Sequence, residues 1–244
     1  MTQEFDAQQD SWIEIAEALD RHAVVVVRRG IDPALLAALR REAQAEYARR
    51  DAQQAAGALP PDQQQMHALR AIGVAELAVN GVPAHQLLAT PLVLAAATLV
   101  LRRAPRIAFS SFRCAQVDRE NLTLPYHQDS RIIALLAPEL GPKPSLVNLW
   151  VPLQDCGDDC PGLEVVNRAI PDLMPVIAAG DNFYAAMGVE IAPEMVHRIA
   201  QPAELWHPSC AAGDFLLFKG TTVHRTHATP AMTRERISAD IRLL

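Results

Sequence analysis

Two histidines and one aspartate are the residues of this chain best suited to share a metal ion. His127 and Asp129 belong to the triplet His127-Gln-Asp129, and His224 follows a turn and an apolar run far downstream. Two imidazoles and one carboxylate can occupy one face of an octahedral Fe(II) ion and leave the remaining positions open. The pattern predicts an iron site that can also accept a cosubstrate and O2.

Strand alternation is the physical argument for choosing these ligands. If residues His127 to Leu136 form a strand, His127 and Asp129 point to the same side. His227 competes with His224 for the third position, but alternation would turn it to the opposite face. The H-x-D triplet alone is weak because it occurs often by chance, so the prediction depends on the combination.

An arginine and a serine near the C-terminus predict an anchor for a small dicarboxylate. Arg236 and Ser238 lie on one side of a predicted strand, where a planar guanidinium beside a hydroxyl suits a carboxylate. Arg234 has the same parity and is the alternative anchor. The other account of both arginines is a charged strand end in solvent.

Arg131 is a further candidate, for binding an anionic group of the substrate. In the predicted strand it shares the parity of Asp129 and would project toward the cavity. An ordinary surface ion pair is the alternative interpretation.

The elements that must position these residues are helical first and mainly β afterwards, with a change near Ala104-Pro105. A β-branched run predicts a strand at Ala23–Val27. Helices are predicted at Pro33–Gln54, Gln63–Val79 and Pro91–Leu101, two of them with a capping residue before a proline. The predicted later strands are Ile107–Val117, His127–Leu136, Ser145–Pro152, Leu163–Val166, Asp214–Phe218 and Arg236–Leu243, which is typical of a barrel or jelly roll. The connection Pro171–Pro208 is long enough to be a lid.

Length and composition limit the possible functions. The chain has 244 residues, 50% of them hydrophobic, and a formal net charge of −6 without a basic stripe. These features argue against nucleic acid and membrane partners and favour a cytoplasmic protein acting on a small molecule. The spacing of the four cysteines is not that of a disulfide scaffold, so free thiols are expected at Cys114, Cys156, Cys160 and Cys210.

Several segments of the chain form a combined pattern that is more specific than any one of them. They are Val24-Val-Val-Val-Arg28, Tyr126-His-Gln-Asp-Ser130, Leu149-Trp-Val-Pro-Leu153, Gly162-Leu-Glu-Val-Val166 and Gly213-Asp-Phe-Leu-Leu-Phe218, together with His224 and Arg236. By these segments the chain, from about Trp12 to Leu244, resembles the phytanoyl-CoA dioxygenase-like branch of the Fe(II)/2-oxoglutarate oxygenases. It departs from that family at Asp159-Cys-Pro-Gly-Leu163 and at Asn167-Arg168-Ala169, so the loop over the site is not transferable.

The resemblance implies an α+β fold with a mainly β core, a double-stranded β-helix (jelly roll, cupin-like). Residues 1–244 would form one domain, with 1–105 as a helical flank containing one strand and 106–244 as the core. It also implies Fe(II) on the triad, 2-oxoglutarate on Arg236, and Trp150 lining the cosubstrate pocket. Since related halogenases lack the carboxylate, Asp129 favours hydroxylation, desaturation or ring closure.

The expected activity is therefore a dioxygenase that hydroxylates an unactivated C–H bond and releases succinate and CO2. Two alternatives stay open at this point. One is a cupin-like enzyme that uses the same ligands around a Lewis-acid metal, and the other is a non-catalytic ligand-binding jelly roll.

Overall fold

The computed structural model describes residues 3–117, 123–177 and 183–244, which adopt an α+β fold. A large mixed sheet and a three-stranded antiparallel sheet face each other, and helices cover the other side of the large sheet. The strands are β1 (Glu4–Asp6), β2 (Val24–Arg28), β3 (Ala71–Gly73), β4 (Ala78–Val79), β5 (Val82–Pro83), β6 (Ile107–Ala115), β7 (Val147–Pro152), β8 (Gly162–Val166), β9 (Leu205–Trp206), β10 (Phe215–Lys219), β11 (His224–His227) and β12 (Arg236–Leu243).

The large sheet has the order β1-β2-β10-β7-β12-β6-β3, and the small sheet has the order β11-β8-β9. Only the β1–β2 pair of the large sheet is parallel. The helices are α1 (Trp12–His22), α2 (Pro33–Ala55), α3 (Pro61–Ala68), α4 (Ala84–Leu88), α5 (Pro91–Leu101), α6 (Asp129–Leu136), α7 (Phe183–Ala186) and α8 (Pro193–Ile199).

Alternation along the strands of the large sheet separates two apolar layers. Val25 and Leu149 point into the core beneath the helices. Their neighbours Val26 and Trp150 point toward the small sheet, where they meet Val165 of β8. Because β2 is covered on both faces, it needs an uninterrupted valine run rather than an alternating pattern.

Several predicted elements are confirmed. The strand predicted at Ala23–Val27 is β2, and the helices predicted from Pro33 and Pro91 begin at those residues. The Asp32 carboxylate accepts a hydrogen bond from the Ala34 amide at 2.9 Å, which is the N-cap that the sequence predicted.

The strand predicted at His127–Leu136 is wrong, because residues from Asp129 onward form helix α6. A short apolar run fits a strand or a helix equally well, and packing decides here. Ile133 is buried against Leu146, whereas Leu135 and Leu136 are exposed.

The helix predicted at Gln63–Val79 is wrong in its second half. Helix α3 ends at Ala68, and β3 then pairs with β6, placing Ile72 opposite Phe112. Both side chains are fully buried, so sheet pairing and core packing override the helical composition of this segment.

The connection predicted as a lid is partly helical, containing α7 and α8, and its residues 178–182 lie outside the described ranges. All four cysteines are free, as predicted, and all four are buried. In the described part of the chain, no helix combines the length and the apolar character needed to span a bilayer.

A partly buried ion pair joins β2 to the turn before β10 and supplies a stability prediction. The Asp214 carboxylate, 4% exposed, accepts hydrogen bonds from Arg28 at 2.8 Å and from the amides of Arg29 and Ala211 at 3.0 Å.

Asp214→Ala should lower the free energy of unfolding by about 3 kcal/mol, because it leaves these donors unpaired. Asp172→Ala, which removes only an exposed pair with Lys143, should cost under about 0.5 kcal/mol in the same denaturant titration. Equal losses in the two variants would contradict this account.

Candidate metal centre

The three predicted ligands converge in the interior between the two sheets. Their candidate ligand atoms all lie within 4.8 Å of one another. His127 Nε2 is 4.0 Å from Asp129 Oδ1, and His224 Nε2 is 3.8 Å from Asp129 Oδ2. All three residues are at most 5% exposed. A single ion between them would be shielded from bulk water.

A backbone bridge, rather than strand alternation, brings the histidines together. His127 and His224 form an isolated antiparallel bridge, in which each amide donates to the other's carbonyl at 3.0 and 3.1 Å. Asp129 is the first residue of α6, and its carboxylate lies beside Nε2 of both histidines. The prediction that His127 and Asp129 face one site therefore holds, but its strand-based reason does not.

Gly220 fixes the start of α6 by a close approach. Its carbonyl accepts the Ser130 amide at 2.9 Å. A Cβ atom at position 220 would lie 2.3 Å from Ser130 Oγ and 2.5 Å from Leu146 Cγ. Only glycine leaves room for the chain to pass this closely beside the helix that carries Asp129.

Backbone carbonyls set the tautomer of both imidazoles. His127 Nδ1 donates to the Pro125 carbonyl at 2.7 Å, and His224 Nδ1 donates to the Thr222 carbonyl at 3.0 Å. This leaves Nε2 of each ring with a lone pair toward the site. Burial, reinforced by His224, lowers the pKa of His127 to about 3, so this ring is neutral and able to coordinate a metal.

Arg242 is a further candidate residue of this site, and it was not among those predicted from the sequence. Its Nη2 donates to Asp129 Oδ1 at 2.9 Å, which leaves Oδ2 on the side of His224. Its Nη1 donates to the Phe109 carbonyl at 2.7 Å, where β6 has a register irregularity beside β12. The sequence did offer one indication of this position. Arg236, Ser238 and Arg242 alternate along β12 and therefore share one face of the strand.

The guanidinium keeps the Asp129 carboxylate ionised. Burial alone would raise the pKa of Asp129, but Arg242, with His224 and His127, holds it well below its usual value. The carboxylate is therefore oriented and charged before a metal arrives, which is the function of an outer hydrogen-bond partner in metal sites.

A cavity of about 490 Å³ adjoins the three residues and contains the predicted cosubstrate anchor. Arg236, 3% exposed, donates from Nε to the Pro161 carbonyl at 3.1 Å and from Nη1 to the Ser238 hydroxyl. Its guanidinium carbon lies 5.1 Å from the centre of the Trp150 ring. Among the described residues, no carboxylate lies within ion-pair distance of Arg236.

Asn148 adds an unpartnered amide to the wall of the same cavity. It precedes Trp150 on the inner face of β7, opposite Arg242 in the β7–β12 register. Within the described ranges, neither Oδ1 nor Nδ2 has a hydrogen-bond partner, although the residue is only 3% exposed. A buried amide in this state is costly unless a ligand pairs with it.

The other sequence candidates lie away from the cavity. Arg234 is exposed at the surface and pairs with Asp159 at 2.6 Å. Arg131 sits on α6 and donates to the Met174 carbonyl at 2.9 Å, and it does not line the cavity. The parity argument for Arg131 fails because its segment is helical. His227 faces the opposite side of β11 from His224, as alternation predicted.

Comparison with known proteins identifies relatives of this fold. A family model described as phytanoyl-CoA dioxygenase (PhyH) matches residues 19–235. No curated protein matches the chain. The solved structure of AviO1 from Streptomyces viridochromogenes Tue57 has 15% identity and a TM-score of 0.61, covering 96% of this chain and 94% of AviO1.

Two further solved structures contain the small molecules relevant to the predicted chemistry. EctD from S. alaskensis, solved with 2-oxoglutarate and 5-hydroxyectoine, has 16% identity and a TM-score of 0.67, covering 96% of this chain and 77% of EctD. The epimerase SnoN, in complex with Fe3+, alpha-ketoglutarate and nogalamycin RO, has 17% identity and a TM-score of 0.58, covering 96% and 83%. At these identities the likeness establishes a shared fold.

The contact between Arg242 and Asp129 predicts an effect on metal affinity. Arg242→Ala should weaken binding of Mn(II), measured by equilibrium titration, by about 10- to 100-fold, because the carboxylate loses its orienting partner. Arg242→Lys, which keeps the charge without the planar fork, should recover only part of the loss. Arg131→Ala on the same helix as Asp129 is the matched control and should leave the affinity unchanged. Tighter binding in Arg242→Ala would mean that charge repulsion outweighs orientation.

Proposed function

Because the chain belongs to the phytanoyl-CoA dioxygenase family, we propose that it is an Fe(II)- and 2-oxoglutarate-dependent dioxygenase. It oxidises, by hydroxylation, an unactivated C–H bond of a small-molecule or carrier-linked metabolite, and it releases succinate and CO2. In this proposal residues 1–244 act as one oxygenase domain, and the two facing sheets are the halves of a double-stranded β-helix.

The donor set suits ferrous iron. The ligands in this proposal are Nε2 of His127, Nε2 of His224 and a carboxylate oxygen of Asp129, the combination that leaves coordination positions open for other molecules. When bound, iron together with 2-oxoglutarate and O2 supplies an oxidant for C–H bonds. The chain's own contribution is to hold the ligands in fixed tautomeric and charge states and to exclude water from the site.

The observation that carries the proposal is the buried guanidinium of Arg236. A guanidinium that is 3% exposed and has no carboxylate partner among the described residues is costly unless an anion joins it. The Ser238 hydroxyl beside it offers a further hydrogen bond, and the Trp150 ring forms one side of the pocket. A small dicarboxylate would place one carboxylate on Arg236 and Ser238 and its other end on the metal.

Asn148 supplies a polar contact nearer the metal in this proposal. Its register partner on β12 is Arg242, which itself contacts Asp129, so Asn148 borders the metal end of the cavity. Its Nδ2 can donate to a carboxylate oxygen of a bound ligand, and its Oδ1 can accept from a ligand hydroxyl. Either contact would give a partner to an atom that has none among the described residues.

The remaining cavity wall favours a substrate with a substantial apolar part. Leu69, Phe109, Leu136 and Met187 are among the residues that line the cavity, and Phe109 and Leu136 are exposed. Exposed apolar side chains at the mouth of a cavity are typical of a binding surface.

Cosubstrate binding can be tested with a pair of arginine variants. Arg236→Gln should raise the Kd for 2-oxoglutarate by about 100-fold, or about 3 kcal/mol, because it removes the charge partner of a buried carboxylate. The exposed Arg234→Gln is the matched control and should change the Kd by less than about 2-fold. The readout is the visible charge-transfer band of the Fe(II) chelate under anaerobic conditions. An unchanged Kd in Arg236→Gln, or a large change in Arg234→Gln alone, would contradict the assignment.

The oxygenase chemistry is tested by succinate formation rather than by metal content. Wild-type protein with Fe(II), 2-oxoglutarate and O2 should release succinate, and a screen of small metabolites should identify a substrate that stimulates release. His127→Ala and His224→Ala should abolish it, whereas His197→Ala, which removes an exposed histidine on α8, should not. A folded, metal-loaded protein that never forms succinate with any metabolite would instead favour a Lewis-acid enzyme.

A further inference from the structure

Three potential metal ligands converge on the outer face of the small sheet, on the other side of β11 from His224. Glu164 lies on β8 opposite Arg225, and His227 ends β11 on the same face. His207 directly follows β9, the third strand of this sheet. None of the three lines the cavity beside Arg236.

The geometry of this second group is close to that of a metal site. One ligand atom from each of Glu164, His207 and His227 lies within 4.8 Å of the other two. The imidazole rings of His207 and His227 are stacked, with centroids 4.4 Å apart and planes 15° from parallel. His227 Nδ1 is 3.9 Å from Glu164 Oε2. Because the two rings are stacked, coordination of one ion by both requires the exposed His207 ring to rotate.

Hydrogen bonds hold the Glu164 carboxylate in place while leaving one oxygen able to coordinate. Oε1 accepts Arg225 Nε at 2.8 Å and also accepts the Tyr126 hydroxyl. Oε2 accepts only Arg225 Nη2, at 3.2 Å, among the described groups. Oε2 is the oxygen that faces His227. A buried carboxylate oriented by outer partners is the usual arrangement of an anionic metal ligand.

The protonation states also suit coordination. Burial would raise the pKa of Glu164, but the Tyr126 hydroxyl and Arg225 lower it below its ordinary value. Burial, with His207 acting in the same direction, lowers the pKa of His227. The carboxylate is therefore ionised and the His227 ring neutral near neutral pH.

We propose that Glu164, His207 and His227 form a second site, distinct from the iron centre, for a divalent transition-metal ion of the zinc type. Two imidazole nitrogens and one carboxylate oxygen suit Zn2+, and the partly exposed rim leaves a fourth position for water. Since Arg225 already neutralises part of the carboxylate charge, the ion binds reversibly rather than as a permanent structural metal.

A metal ion bound at this site would link the end of the Pro171–Pro208 connection to the paired strands β8 and β11. His207 lies at the C-terminal end of the segment that runs from Pro171 to Pro208, whereas Glu164 and His227 belong to the paired strands β8 and β11. A metal bridge between them adds a cross-link at the sheet edge. The site therefore stabilises the fold by mass action when zinc is present.

Zinc stoichiometry in untagged, chelator-treated protein tests the proposal. By equilibrium dialysis with Zn2+, the wild type should bind two equivalents, while His207→Ala and His227→Ala should each bind one. His197→Ala, which removes an exposed histidine elsewhere, should bind two. Retention of two equivalents in either His207→Ala or His227→Ala would overturn the proposal, as would wild-type binding of a single equivalent that both variants keep.

A second series separates this site from the proposed iron centre. His224→Ala should keep one equivalent of Zn2+, and Zn2+ should still raise its Tm. The double variant His224→Ala/His207→Ala should bind none and show no shift. No zinc-dependent Tm shift in His224→Ala would reject the second site, whereas retention of two equivalents in that variant would reject His224 as a ligand and leave the second site standing.

Discussion

The backbone bridge between His127 and His224 is the constraint on which the functional region depends. Its two hydrogen bonds, 3.0 and 3.1 Å long, fix the separation of segments that are far apart in sequence. Because the side chains of a directly paired bridge lie on the same side, the two imidazoles must share one space. Asp129 follows two residues later at the start of α6, and Gly220 keeps that helix start in place. Convergence of the three side chains is thus a property of the main chain.

Buried charge explains the rest of the site. Arg242 is paired with the Asp129 carboxylate, so its charge has a partner within the protein. Arg236 has hydrogen bonds to Pro161 and Ser238 but no anionic partner in the described ranges, and the Asn148 amide is unpaired. A folded chain tolerates such groups when a ligand completes them, since an unmatched buried charge costs several kcal/mol. The cavity is therefore prepared for an anion at one end and a metal at the other.

The sequence singled out three side chains that the fold brings together, but it did not predict the local structure around them. The capped helix from Pro33, the valine strand β2 and the alternating strand β12 were predictable because one local pattern decides each of them. The segment after Asp129 was not predictable, because its short apolar run fits both a helix and a strand. Only the packing around Ile133 decides between the two. The two histidines converge through a bridge that no local pattern encodes.

Arg242 shows the limit of residue-by-residue interpretation. The polar face of β12 was visible in the sequence, but the contact with Asp129 depends on the register between β12, β6 and β7. The same holds for Asn148, which looks like an ordinary polar residue until its neighbours are known. His207 and His227 likewise meet only because β8, β9 and β11 pair in this order.

The most direct test of the central claim is a crystal structure of the protein with Mn(II) and 2-oxoglutarate, with the metal located by anomalous scattering. The account predicts a strong peak within coordination distance of Nε2 of both His127 and His224 and of an Asp129 oxygen. It also predicts that the far carboxylate of 2-oxoglutarate lies on Arg236. Absence of metal from these three side chains, or a cosubstrate that leaves Arg236 unpaired, would contradict it.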